Sequence, residues 1–285
     1  MSAVLLQAIV SGIALGLIYA GVGAGFSLVF STGRLINLSH GEFVLVGGYI
    51  LYVLCRGIGW PWPAGLAASA LGGALLGLAL PPLVRRLPDR EVDGLAATLG
   101  VAFILQNLLF LSATATYRMI PGGYWLQTVG LGPVALSRVT LVAAAAAAPA
   151  VAGLDLWLRL SWTGSGLRAV AQSRPAASSL GVSPFRMEWV AFAVGGAIAG
   201  SAGGLVLLIR FLTPGEGPAW TLVALAVAFL GGRTRAVSLV GAGIALGILE
   251  SLATALGGGG WREVVASGSV LLWLLVRERS LAADA

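Results

Sequence analysis

Lysine is absent from this chain of 285 residues, and all 17 basic positions are arginine. The Walker A pattern G-x4-G-K-[ST] needs its lysine to reach the nucleotide phosphates, so these residues hold no such site. Charge of either sign is scarce. Only 10% of residues are charged against 58% hydrophobic, and the mean hydropathy is +0.95, far outside the range of soluble globular domains. The isoelectric point of about 10.4 thus reflects arginines scattered among loops rather than a basic stripe, which excludes a nucleic-acid reader. One cysteine, Cys55, excludes an intrachain disulfide, and the single histidine, His40, lacks the clustered ligands of a metal site. The first basic residue is Arg34. The leading apolar run therefore lacks the positive start of a secretory signal and reads as a retained span.

What is present is one apolar block after another, at 4–30, 35–55, 60–83, 95–112, 139–158, 184–209, 219–232, 237–256 and 263–276. Blocks of about 20 apolar residues cross a bilayer core as helices. The expectation is an all-α polytopic membrane protein of eight or nine transmembrane helices, a single bundle and a single domain over 1–285, with broken or re-entrant segments. Block 219–232, about 14 residues, is short for a crossing and reads as a re-entrant or half-helix. No linker divides the chain and no internal repeat is evident.

Arginine placement predicts orientation, because cytoplasmic connections carry the excess of positive charge. Arg85, Arg86 and Arg90 cluster in one connection. Arg159, Arg168, Arg174 and Arg186 share another that holds no acidic residue. Placing both inside puts the amino terminus outside, and Arg34, Arg233, Arg235, Arg277 and Arg279 inside with the carboxyl terminus. The connection 113–138 then lies outside, and Trp60, Trp62, Tyr124 and Trp125 form an interfacial belt there. Glycines spaced four apart, Gly12/Gly16, Gly21/Gly25, Gly196/Gly200/Gly204 and Gly243/Gly247, mark helix faces that pack closely within the bundle.

The segment NLSHGE, Asn37 to Glu42, interrupts this apolar text. Ser39 and Glu42 have the spacing of a capping box, with the Ser39 hydroxyl accepting from the Glu42 N–H and the Glu42 carboxylate from the Ser39 N–H. A helix starting there brings Leu35 to Leu38 into the membrane as non-helical backbone, tolerated only where protein or a water-filled path satisfies it. A continuous helix is the competing picture, with Asn37, His40, Gly41 and Val44 on one face. Two roles stay open: securing a helix start near the interface, or lining a substrate path. Gln106, Asn107 and Glu250, also inside blocks, carry the same ambiguity between interhelical bonding and path lining.

These residues also carry a resemblance. Ser11 to Tyr49, with Gly12, Gly16, Tyr19 and Ala20 and then Asn37, His40, Gly41, Glu42, Gly47 and Tyr49, resembles the amino-terminal signature of the branched-chain amino acid permeases of bacterial ABC importers. Ser39 stands where that family usually has alanine. Thr98 to Asn107 and Thr163 to Leu205 resemble its fourth span and its cytoplasmic loop with the following helix. The last third follows the family through Pro214, Leu230-Gly231-Gly232, Gly241 and Glu250. It departs at Val223, where lysine is frequent, and at Gly231-Gly232-Arg233-Thr234-Arg235, where GG-x-GS is usual. The resemblance implies a translocation subunit, not an enzyme, in the bacterial cytoplasmic membrane. Its partners would be a second homologous permease, two cytoplasmic ATPases that hydrolyse ATP in its place, and an extracytoplasmic binding protein. It needs no cofactor of its own, and contacts lipid but no nucleic acid. The substrate would be a branched-chain or related amino acid, amide or urea. Asn37, Ser39, His40, Glu42, Gln106, Asn107 and Glu250 are then the candidates for the substrate path. Gly166, Arg168, Ala169, Arg174, Ala176, Ala177 and Gly181, in the coupling loop 159–186, are the candidates for contact with the ATPases. Within that loop, 166–173 and 175–180 read as short helices, with Gly181 just past the second and Ser183-Pro184 starting the next span.

Two other classes compete with this reading. A proton-coupled secondary transporter would use His40 and Glu42 as a relay, and paired broken helices would favour it, whereas the sequence displays one clear break. An intramembrane enzyme would need its nucleophile and base face to face, but Ser39 and His40 are sequence neighbours that do not meet on a helix.

Overall fold

The computed structural model describes residues 2–87, 92–113, 116–120, 127–131, 134–232, 236–258, 260–261 and 264–272. Arg90, Tyr124, Trp125, Arg233, Arg235, Arg277 and Arg279, and the end of the last apolar block, lie outside the described residues. The helices are α1 (Ser2–Gly33), α2 (His40–Tyr52), α3 (Trp62–Val84), α4 (Val92–Ala113), α5 (Arg138–Leu160), α6 (Trp162–Gln172), α7 (Arg174–Ser179), α8 (Pro184–Ile209), α9 (Gly217–Gly231) and α10 (Ala236–Gly257). A further helical stretch covers 264–272. Two features depart from a pure helical bundle. A π-helical turn, Val53–Ile58, extends α2, and strands β1 (Thr128–Leu131) and β2 (Val134–Ser137) pair antiparallel ahead of α5.

Among the described residues, seven helices are long and apolar enough to cross a membrane, the second of them running through the π-helical turn to Ile58. The expected eight or nine counted block 219–232, which is α9. At 15 residues it is about 22 Å long at 1.5 Å per residue, too short for a full crossing. Serines start the later helices by taking up an orphan backbone N–H. Ser137 accepts from Thr140 N, Ser161 from Gly164 N, Ser173 from Ala176 N and Ser183 from Arg186 N. The expected Ser183-Pro184 start of α8 is therefore present. Gly181, at φ +80°, ends the α7 turn in the left-handed conformation that glycine adopts without strain.

α1 lies at the centre, against α10, α8, α9 and α5, while α3 and α2 pack on α8. Glycine makes these approaches possible. A Cβ at Gly12 would lie 2.6 Å from Ile248 Cα, one at Gly16 2.5 Å from Ile244 Cα, and one at Gly243 2.7 Å from Ala20 N. Gly195 and Gly25 face each other in the same way across α1 and α8, and Gly196 and Gly200 sit against Gly73 and Ser69 of α3. The four-residue spacing thus serves packing inside the chain. Gly21 is the exception, with open space where its Cβ would be.

The contact geometry predicts unequal costs. Gly16→Val must separate α1 from α10 and, by the cost of overpacking, destabilise by about 1–3 kcal/mol or prevent assembly. Gly21→Ala meets nothing and should leave thermal unfolding in detergent unchanged. A midpoint lowered equally by both would contradict the seam.

Candidate functional site

The NLSHGE segment is where the bundle departs most from continuous helix. α1 ends at Gly33, Arg34 takes φ +52°, 34–37 are without helix, and α2 begins at His40. The break expected from sequence is therefore real and the continuous helix is not. The His40 ring nitrogen Nε2 pairs with Val22 O at 3.1 Å, and a Cβ at Gly25 would touch its Cε1 at 3.4 Å. α2 thus starts level with α1 residues about 12–16 Å before the α1 end, at 1.5 Å per residue. The segment climbs back into the bundle to reach that level.

Several polar groups along the climb are taken up by other helices. Leu38 N donates to Thr98 Oγ1 of α4 at 3.2 Å, and Thr98 Oγ1 donates to Leu95 O at 3.1 Å and to Ile36 O at 3.4 Å. Leu38 O accepts from Thr221 Oγ1 of α9 at 3.1 Å. Gly41 N donates to the same hydroxyl at 2.9 Å. The expected capping box does not form. Ser39 has near-helical backbone angles (φ −84°, ψ 2°) and no side-chain cap bond. Instead, Asn37 Oδ1 accepts from Ser39 N at 3.1 Å and from Ser39 Oγ at 2.7 Å, an Asx-type turn that outcompetes the serine as first-turn acceptor.

Glu42 occupies the first turn of α2 and its carboxylate lies against Gly217, the first residue of α9. Two helix starts, each with the positive end of its dipole, therefore converge on one carboxylate. Gly41 permits that convergence: a Cβ there would fall 2.6 Å from Thr221 N. Among the described residues Glu42 makes no ion pair, and Glu42 Oε2 and Asn37 Nδ2 are buried without hydrogen-bond partners. His40 is enclosed by Phe26, 5.5 Å away and edge-on, and by Phe43 at 6.3 Å. No hydrogen bond joins it to Glu42. Asn37, Ser39, His40 and Glu42 are each at most 1% exposed.

The remaining path candidates lie elsewhere. Glu250 of α10 accepts from Tyr19 Oη of α1 at 2.5 Å, and Tyr19 packs edge-on to Trp220 of α9 at 5.8 Å. Glu250 therefore ties α10, α1 and α9 together. Asn107 faces outward from α4 and bonds its own helix at Phe103 O, 2.7 Å away. Gln106, beside it, is half-buried. Neither joins the NLSHGE cluster. Two cavities flank α1 instead. One, of about 330 Å3, lies toward its carboxyl-terminal end among Ser27, Ser31, Asp155, Arg159, Arg168 and Gln172. The other, of about 630 Å3, lies at its amino-terminal end. No NLSHGE residue lines either one.

A second break, missed as such in the sequence, joins α8 to α9. Leu212-Thr213-Pro214-Gly215-Glu216 repeats the order of Leu38-Ser39-His40-Gly41-Glu42: leucine, hydroxyl residue, any residue, glycine, glutamate. Glu216 Oε1 accepts from Thr213 N at 3.2 Å and from Thr213 Oγ1 at 3.3 Å, so the glutamate back-bond of a capping box occurs here. Arg210 Nη2 pairs with Glu216 Oε2 at 3.3 Å. Leu212 is held by a two-way backbone bridge to Arg118.

The 159–186 connection forms α6 and α7 at the carboxyl-terminal end of α1. Arg174 pairs with Glu188 of α8 and donates to the Thr32 and Gly33 carbonyls of α1, each at 3.4 Å. Gly166 and Ala177 face inward, with Ala177 2% exposed, and Ala169 is half-buried. Arg168, Ala176 and Gly181 are exposed. Two large side chains that sequence reading passed over are more exposed still: Trp162 at 95% and Leu180 at 81%.

The profile of the family described as branched-chain amino acid transport system / permease component matches residues 8–275. The chain belongs to that family. It is 25% identical to the high-affinity branched-chain amino acid transport system permease protein BraD of Pseudomonas aeruginosa, over 95% of this chain and 94% of that one. It is 28% identical to the corresponding LivH of Escherichia coli K12, over 95% and 93%. A probable LivH of Methanocaldococcus jannaschii is 24% identical over 81% of this chain and 75% of the relative. Among solved structures, PsaBC from Streptococcus pneumoniae in complex with Fab superposes with a TM-score of 0.53 at 12% identity, over 99% of this chain and 95% of that one. That likeness concerns the fold alone. The permease is thus a multi-pass, all-α membrane protein.

Thr221 is the sharpest test of the broken segment. Thr221→Val leaves the buried Gly41 N–H and Leu38 C=O without partners, at a cost of about 1–3 kcal/mol for each group. Thr221→Ser keeps the hydroxyl and should stay close to the wild-type unfolding midpoint. A valine variant as stable as the serine variant would show that water supplies these bonds.

Proposed function

We propose that this permease is the membrane-spanning subunit of an ATP-binding-cassette importer in the bacterial cytoplasmic membrane. With a second, homologous permease it forms the translocation path for branched-chain or related amino acids. The family match across residues 8–275 carries this reading. ATP is hydrolysed by two cytoplasmic ATPases, since a chain without lysine has no Walker A site, and an extracytoplasmic binding protein delivers the substrate. The permease itself is not an enzyme and uses no cofactor. The proton-coupled alternative draws no support from His40, whose ring is held by Phe26, Phe43 and the Val22 carbonyl rather than by Glu42.

The proposed orientation places the amino terminus outside and α6 and α7 inside. The geometry agrees with the alternation on which it rests, because the β1–β2 hairpin touches Gln7 near the start of α1 and α7 touches its end. Ser165→Cys in a Cys55→Ala background should resist a membrane-impermeant thiol reagent in intact cells. Labelling from outside would reverse the topology.

Docking of the ATPases is assigned to the exposed faces of α6 and α7 together with Leu180 and Trp162. Large apolar side chains left in water mark a protein contact, and Ala177, although in this loop, is turned inward. Leu180→Asp would carry a charge into a desolvated contact. We expect it to leave the permease inserted while uptake in reconstituted vesicles falls at least tenfold, equivalent to a loss of about 1.4 kcal/mol of coupling. Full uptake and normal co-purification of the ATPases in that variant would move the docking surface elsewhere.

A further inference from the structure

The cavity at the amino-terminal end of α1 sets a charged wall beside an apolar one. It lies between α1, the β2–α5 junction, the α8–α9 break and α10, and is an open pocket of about 630 Å3. That is room for about 20 waters at ~30 Å3 each, so a single amino acid fits with solvent to spare. Its charged wall is the Arg210–Glu216 pair. Its apolar wall includes Leu136 and Phe211, and Thr140 and Ser251 complete it from α5 and α10.

The pair is both held and reachable. Glu216 is fixed by its bonds to Thr213, and the Arg210 guanidinium lies 5.6 Å from the Trp220 ring centroid. Their side chains remain 31% and 19% exposed. Ionised groups at membrane depth are costly and persist where a polar route needs them. One guanidinium and one carboxylate beside an apolar wall also match, group for group, the carboxylate, ammonium and aliphatic side chain of a free amino acid.

We propose that this cavity is a relay subsite for an amino acid zwitterion on its way through the permease. Glu216 accepts from the α-ammonium and Arg210 donates to the α-carboxylate, exchanging their mutual contact for the ligand, while Leu136 and Phe211 cover the side chain. The assignment rests on the amino acid reading above and names a place in this chain where the substrate is held. That place is not the NLSHGE segment.

The test uses the assembled transporter in nanodiscs, without nucleotide, with Ser251→Cys in a Cys55→Ala background. Thr140→Cys serves as a second reporter in case the first does not assemble. L-leucine should slow labelling by a thiol reagent, to about one tenth of the free rate at ten times the half-protecting concentration, because only empty sites react. Leucinol, which lacks the carboxylate, and 4-methylpentanoate, which lacks the ammonium, should protect poorly. Adding Glu216→Gln should raise the half-protecting concentration of leucine and leave that of 4-methylpentanoate unchanged. A labelling rate indifferent to leucine at both reporters, or equal protection by 4-methylpentanoate, overturns the subsite. Uptake of leucine, isoleucine and valine by the unmodified complex, supplied with its binding protein and ATP, is measured separately. Absence of all three from the vesicles would refute the amino acid reading itself, whereas uptake without protection refutes only the subsite.

Discussion

A chain that leaves the helical conformation inside a bilayer must find partners for the backbone groups it exposes, because hydrocarbon supplies none. Residues 34–39 impose that constraint, and much of the surrounding structure answers it. Thr98 on α4 and Thr221 on α9 each serve the segment as both donor and acceptor, and Asn37 folds back to take the two donors of Ser39. Two elements distant in sequence are thereby fixed around one short stretch. Gly41 follows from the same demand, since the α9 backbone can reach the start of α2 only where no side chain intervenes.

The second break makes the arrangement reciprocal. α2 begins where residues 34–39 have climbed into the bundle, and α9 begins beside it, at the end of the turn that follows α8. Both starts carry positive dipole ends, and Glu42 lies where they meet. The arrangement also separates two meanings of a buried charge. Glu42 completes a helix junction and is sealed from both cavities, whereas Glu216, in the matching leucine-hydroxyl-x-glycine-glutamate stretch, stands at a cavity wall.

Much of this was legible in the sequence, to different depths. Apolar block length marked the polytopic all-α character and the shortness of α9, because bilayer thickness acts on every residue of a span, but it gave eight or nine crossings where seven helices are long enough among the described residues. The helix break at NLSHGE could be read because polar residues in an apolar run have few explanations. Its internal bonding could not, because Asn37 and Ser39 are both competent acceptors for the first turn and only the backbone angles at Ser39 decide between them. Thr98 and Thr221 gave no signal, since a threonine in a membrane helix more often bonds its own backbone than another segment. The likeness between the two breaks spans five residues, too few to separate from chance in the sequence. Ala177 read as a surface alanine of a polar loop, and is instead the residue on which α7 packs inward.

The connection between α7 and α1 gives these details a mechanical order. Arg174 holds the last carbonyls of α1 and the buried Glu188 of α8 at once, so α7 cannot shift without displacing the end of α1 or breaking a desolvated ion pair, which is strongly unfavourable. Glycine contacts lock α1 along its length to α10 and α8. The first non-helical stretch beyond the Arg174 contact is the one that starts at Arg34, so a displacement of the end of α1 would next reach the hydrogen bonds of Thr98, Thr221 and Asn37.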